Sequence, residues 1–135
     1  MTLRACVGTL LIAGLSSGLE VSAHHSFAAE YDPNKPITLT GSVTKVDWRN
    51  PHVHINMDVK DQAGKVTSWD LELGGPNGLL RKGWTRNSLK SGDMIVMNGY
   101  AARDGSPLAN AVTITLADGR KVFADSSAGT IDKAP

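Results

Sequence analysis

The sequence has one cysteine, few aromatic residues, almost no net charge and no second long apolar run. The cysteine, Cys6, lies at the start of the N-terminal apolar run, so the chain beyond that run has no thiol for a disulfide, a lipid anchor or a metal. Its 14 basic and 13 acidic residues predict no basic surface for nucleic acid or an anionic membrane. The apolar run is short and interrupted by glycine, which excludes a stable membrane-spanning helix.

Residues 1–23 have the pattern of a secretory signal peptide. Arg4 precedes the apolar run, and small residues up to Ala23 form a suitable cleavage site. Cleavage after Ala23 would make His24 the first residue of the mature protein. We therefore expect a soluble protein that is periplasmic or secreted.

Strand signals follow at close intervals, because apolar and β-branched residues alternate with polar ones. Strands are predicted at 37–46, 53–59, 68–73, 94–101 and 111–116, with a short sixth at 121–123 and helical turns at 79–82. Three strands, a helix and two strands is the order of the OB-fold. The prediction is an all-β fold, a small five- to six-stranded OB-like Greek-key barrel with one short helix between strands 3 and 4. A small β-sandwich is the alternative.

The chain divides into four segments on this interpretation. After the signal peptide, residues 24–36 carry aromatic residues and prolines without a regular period and are predicted to form an extended arm. Residues 37–125 form the β-barrel domain, and the small polar residues at 126–135 form a flexible tail.

Several segments together resemble a known family. They are HHSFAAEYD at 24–32, GSVTKVDWRNPH at 41–52, WDLEL at 69–73 and Gly92-Asp93. The sequence resembles the small secreted bacterial proteins grouped as domain of unknown function 6152. The resemblance implies export and a compact β-domain, and it implies no particular activity. The strand order is also similar to that of stress-associated, ligand-binding periplasmic OB-fold proteins, a likeness of fold that does not decide function.

All four histidines occur in two pairs, His24-His25 and His52-Val53-His54. Alternation along a strand places His52 and His54 on one face. A terminal His24 would offer its amine and its imidazole to one metal ion. If the arm folds back over the barrel, the pairs would assemble a nitrogen donor set that suits the tetragonal preference of Cu(II), with zinc or nickel as alternatives.

Other polar residues near the histidines have predicted supporting roles. Asp58 extends the strand face of His54 and could orient a ligand histidine, while Trp48 and Arg49 at a strand end are predicted to line a mouth beside the histidines. Asp70 and Glu72 share a face of the third strand. A solvated sheet face explains this carboxylate pair better than acid–base catalysis.

The function predicted from these patterns is an exported small binding protein that holds a transition-metal ion, without catalytic residues and without nucleic acid as a partner. Two alternatives stay open. One is an OB-fold module that recognises a small molecule or a protein partner without any metal. The other is a histidine-brace copper oxidase, for which a domain of this size leaves little room for a substrate cleft.

Overall fold

The computed structural model describes residues 27–125, which form two short helices and six strands. None of the helices in this part of the chain is long and apolar enough to cross a membrane. In chain order the elements are α1 (Phe27–Glu30), β1 (Tyr31–Asp47), β2 (His54–Lys60), β3 (Val66–Glu72), α2 (Pro76–Arg81), β4 (Met94–Ala102), β5 (Leu108–Thr115) and β6 (Lys121–Phe123).

Five of the strands close into a ring. β1 pairs antiparallel with β2 and with β4, β2 pairs with β3, and β4 pairs with β5. A parallel pairing of β3 with β5 completes the ring, and β6 adds to the other end of β5. The predicted all-β barrel with a short helix between its third and fourth strands is confirmed. Its assignment to the OB-fold stays a prediction from strand order.

The barrel interior is filled by the inward face of each strand. On β2 and β3 this face follows the predicted alternation, which places His54, Asp70 and Glu72 on the opposite, outer face. Burying each large apolar side chain contributes about 1.5–3 kcal/mol. The core includes Val43, Val53, Ile55, Met57, Leu71, Leu73, Leu79, Trp84, Ile95, Met97 and Ile114.

The first strand is longer than the sequence indicated. The segment predicted as an extended arm divides in the structure, because 27–30 form α1 and β1 begins at Tyr31 rather than at Ile37. Tyr31 pairs with Ala102, and the register shifts before Pro36. Such an irregularity tolerates prolines, which have no N–H to donate to a ladder. The predicted signal peptide, the predicted tail and residues 24–26 lie outside the described residues.

Candidate functional site

The outer face of β2 and β3 forms one wall of a cleft of about 530 Å³. His52, His54 and Glu72 line this wall. Ala29 and Glu30 of α1 line the cleft as well, together with residues of the turn that joins β4 to β5. The cleft therefore lies between the barrel wall and the first described residues of the chain.

His52 is held by a buried carboxylate. Its Nδ1 lies 3.0 Å from Oε1 of Glu72, while Oε2 of Glu72 accepts a hydrogen bond of 2.7 Å from the Tyr31 hydroxyl. Tyr31 is 1% exposed and Glu72 is 8% exposed. Burial and then the hydrogen bond to Glu72 raise the pKa of Tyr31 far above its usual value, so its hydroxyl remains a donor at neutral pH.

His54 is held in the same way by a second carboxylate. Its Nδ1 lies 2.9 Å from Oδ1 of Asp70. The hydrogen bond that His54 donates to Asp70 raises the pKa of His54 above its usual value of 6.5, although partial burial opposes the rise. In the β2–β3 ladder His54 stands directly opposite Glu72, so Asp70 is its diagonal neighbour, and diagonal side chains are within reach of one another.

The two carboxylates determine which ring nitrogen each histidine offers. An ionised carboxylate only accepts hydrogen bonds, so Nδ1 of His52 and of His54 carries the proton. In the neutral ring Nε2 then has the available lone pair. A histidine that ligates a metal through one nitrogen commonly donates its other N–H to a carboxylate, and both histidines have that arrangement.

Residues 27–32, which we call the N-terminal clasp, pack beside the cleft. The Phe27 ring stacks on Tyr31 and meets the edge of Tyr100, each at a centroid distance of 5.6 Å. From the turn after β4, the Arg103 backbone N–H donates to the Glu30 carbonyl at 2.9 Å. These contacts hold the clasp against the barrel on the side where His52 and His54 lie.

Asp58, the carboxylate predicted to orient a ligand histidine, has a different partner. Asp58 accepts a hydrogen bond of 2.5 Å from the Ser68 hydroxyl. It is four strand residues from His54, or about 13 Å along the chain. The carboxylates that contact the histidines in the described chain are therefore Asp70 and Glu72, and the prediction that placed Asp58 in this role did not identify them.

Trp48 and Arg49 follow the end of β1, and the charge of Arg49 is near enough to His54 to oppose the rise of its pKa. The guanidinium of Arg86 lies 5.9 Å from the centre of the Trp48 ring, and Arg49 forms an ion pair with Asp47 at 3.4 Å. The structure thus brings together His52 and His54, with Glu72, Asp70 and Tyr31 supporting them. The predicted ligands His24 and His25 fall outside the described residues.

The solvated-face interpretation of the carboxylate pair is wrong for Glu72, since that side chain is buried between Tyr31 and His52. Within 27–125, no group of three or more histidine, cysteine, aspartate or glutamate side chains is arranged so that it could hold a metal ion. Within these residues, His52 and His54 therefore provide two imidazoles to the cleft and no third ligand side chain is grouped with them.

Removing the Asp70 charge is expected to lower the pKa of His54. In the Asp70→Asn variant the largest cause of the rise is lost while partial burial, which lowers the pKa, remains, so the pKa of His54 should fall. In the wild type, this ion pair stabilises the fold fully below pH 6.5, and the contribution is lost as pH rises through the raised pKa. Histidine ring shifts followed by NMR against pH measure the pKa of His54 in the wild type and in the variant. Asp58→Asn is the control, and a pKa of His54 that Asp70→Asn leaves unchanged would contradict the pairing.

Comparisons with known proteins identify a family and no characterised relative. Neither the curated proteins nor the solved structures contain a match to this chain. The model of the family of unknown function DUF6152 matches residues 13–110. The match includes β1 to β4, both cleft histidines and both carboxylates that hold them. The chain therefore belongs to the DUF6152 family.

Proposed function

We propose that this protein is an exported binding protein for a transition-metal ion, with copper favoured over zinc or nickel. The observation that carries the proposal is that two imidazoles line the same cleft, each with Nδ1 held by a carboxylate. Nε2 of His52 and Nε2 of His54 are the proposed ligand atoms. Imidazole suits these three metals, and Cu(II) binds most tightly among divalent first-row ions.

The remaining ligands in this proposal come from His24 and His25. His24 precedes Phe27 by three residues, a span of at most about 11 Å, and Ala29 and Glu30 of the clasp line the same cleft as His52 and His54. Chain connectivity therefore allows the N-terminal histidines to reach the cleft. Together, the terminal amine and the imidazoles would give Cu(II) a nitrogen set of the kind that it prefers.

Export is part of the proposal, because the terminal amine of His24 exists only after cleavage behind Ala23. The proposed location is the periplasm or the extracellular space. The reference pKa of a terminal amine is about 8, so Cu(II) must displace a proton from it at neutral pH. The roles that fit such a protein are capture, buffering or delivery of the ion.

The proposal is tested by titrating Cu(II) and Zn(II) into protein that begins at His24, in parallel with protein that carries one extra N-terminal residue. We expect tight one-to-one copper binding by the first protein. The extra residue removes the chelate of amine and imidazole and should weaken copper binding by orders of magnitude. Equal, weak binding by both proteins would contradict the proposal and leave an ordinary surface pair of histidines.

The size of the cleft favours a second candidate, a module that binds a small organic molecule without metal. A volume of about 530 Å³ lies within the range of small-molecule sites. A brace-type copper oxidase would also need such a cleft, and turnover with an added reductant would distinguish it. Unchanged metal content after replacement of both cleft histidines would favour the metal-free module.

A further inference from the structure

Glu72 uses both of its carboxylate oxygens inside the protein. Oε1 lies 3.0 Å from Nδ1 of His52, and Oε2 accepts the 2.7 Å hydrogen bond from the Tyr31 hydroxyl. The last torsion of a glutamate side chain has broad energy minima, so a carboxylate with a single partner can turn about it. A second partner on the other oxygen opposes that rotation. The position of Oε1, which holds His52, therefore depends on Tyr31.

Tyr31 is itself fixed by the barrel. Its side chain is buried, its ring stacks on that of Phe27, and its backbone pairs with Ala102 of β4. A hydroxyl on a ring held in this way has little freedom to follow a carboxylate that turns. The contacts from Tyr31 through Glu72 thus give the imidazole of His52 a support that begins in a rigid part of the fold.

His52 depends on such a support more than His54 does. His54 is the first residue of β2 and is paired in the β2–β3 ladder, so the neighbouring strand fixes its backbone. His52 precedes β2 and has no place in that ladder. The carboxylates also differ, since the side chain of Asp70 is 41% exposed and that of Glu72 is buried. Water competes for Asp70, whereas the contacts of Glu72 are made inside the protein.

We propose that Tyr31 is the positioning residue of this pair, which acts through Glu72 to hold the His52 ring with Nδ1 protonated and Nε2 available to a metal ion. The inference rests on the proposed function, because it takes Nε2 of His52 as a ligand atom. Without the hydroxyl, Glu72 can turn and no longer confines the ring proton to Nδ1. A ring whose proton is on Nε2 cannot ligate through that nitrogen. Loss of the hydroxyl therefore acts on His52 and spares His54.

The first measurement needs no metal. At pH 8.5, about two units above the ordinary pKa of histidine, proton–nitrogen NMR of the histidine rings distinguishes a protonated Nδ1 from a protonated Nε2. In the wild type, His52 and His54 should both have the proton on Nδ1. Tyr31→Phe should shift His52 toward the form with the proton on Nε2 and leave His54 as it is. His54 is the internal control, because a general loosening of the barrel would change both rings.

Tyr100→Phe is the matched control variant. Tyr100 is the other tyrosine of the chain, it is also buried, and its ring also contacts Phe27. Loss of its hydroxyl should leave both histidine rings in the wild-type form. Both variants keep the aromatic ring and should therefore keep the fold, which circular dichroism verifies.

The second measurement is a cycle of four proteins: wild type, Tyr31→Phe, His52→Ala and the double variant. Cu(II) affinity is measured by competition with a chelator of known affinity, in the form of the protein used for the copper titration. With His52 present, Tyr31→Phe should weaken copper binding about tenfold, the lower end of the usual loss for a residue that supports a ligand. With alanine in place of His52, the loss should be less than about twofold. A merely structural role of Tyr31 would weaken copper binding equally in both backgrounds.

Two results would overturn the inference alone. They are an unchanged His52 ring in Tyr31→Phe, and equal weakening of copper binding with and without His52. Equal copper affinity of the wild type and His52→Ala would contradict the proposed function, on which the role of Tyr31 in metal binding rests. That comparison involves no change at Tyr31, so the two kinds of failure are distinguishable.

Discussion

Replacement of both His52 and His54 by alanine is expected to lower the affinity of the protein for Cu(II) by about a thousandfold or more. The loss of one partner that orients a ligand histidine typically costs 10- to 100-fold in metal affinity. The loss of two ligands should exceed that range. Isothermal titration of protein that begins at His24 measures the effect, with circular dichroism to show that the barrel is intact.

Two single variants test which carboxylate supports His54: Asp70, which contacts it in the structure, or Asp58, which the sequence pattern predicted. Asp70→Asn should weaken copper binding by about 10- to 100-fold, because Asp70 holds Nδ1 of His54. Asp58→Asn should leave copper binding unchanged, because Asp58 contacts Ser68.

For the variant that lacks both His52 and His54, an undiminished copper affinity would mean that the N-terminal residues bind copper alone. That result would contradict the proposed site.

Tyr31→Ala is expected to lower the free energy of unfolding by about 3–5 kcal/mol, the usual loss when a large buried aromatic side chain is removed. The ring of Tyr31 packs against Phe27, and its hydroxyl donates to the buried Glu72. Tyr31→Phe keeps the ring and removes only the hydroxyl, so we expect a smaller loss of about 1.5–3 kcal/mol, as for a hydrogen bond to a charged group. Urea denaturation at neutral pH measures both variants.

The raised pKa of Tyr31 makes part of this stabilisation dependent on pH. The pKa of the hydroxyl is higher in the folded than in the unfolded chain, so its contribution is fully present below about pH 10 and is lost as pH rises above that value. Wild type should therefore lose more stability than Tyr31→Phe between pH 9 and pH 11. Equal losses in the two proteins would contradict the burial of the Tyr31 hydroxyl, the largest cause of its raised pKa.

The faces of β2 and β3 could be predicted from the sequence because alternation is a local property of a strand. The carboxylate partners could not, because alternation does not determine register. Once the turn between Lys60 and Val66 fixes the ladder, Glu72 falls opposite His54. Asp61 fixes this turn by accepting hydrogen bonds from the backbone N–H groups of Ala63 and Lys65. The turn itself was predicted from the sequence. Its length and hydrogen bonding, which set the register of β3 against β2, were needed to place the carboxylates beside the histidines.

The clasp could not be predicted for a different reason. Its position depends on the pairing of β1 with β4 and on Arg103, which is about 75 residues from Ala28 along the chain. No periodic pattern reports such a distant contact. Pro33 and Pro36 also indicated an irregular arm, whereas the shift of register between Tyr31 and Pro36 accommodates them within β1.

The central claim is that one copper ion joins the N-terminal histidines to the pair on the barrel wall. Pulsed EPR of the one-to-one Cu(II) complex tests it most directly, because electron spin-echo modulation detects the remote ring nitrogen of each equatorially bound imidazole. Protein that begins at His24 should show modulation from several imidazoles. This modulation should decrease in the variant that lacks both His52 and His54. Identical modulation in wild type and variant would show that the barrel histidines do not bind the ion and would contradict the claim.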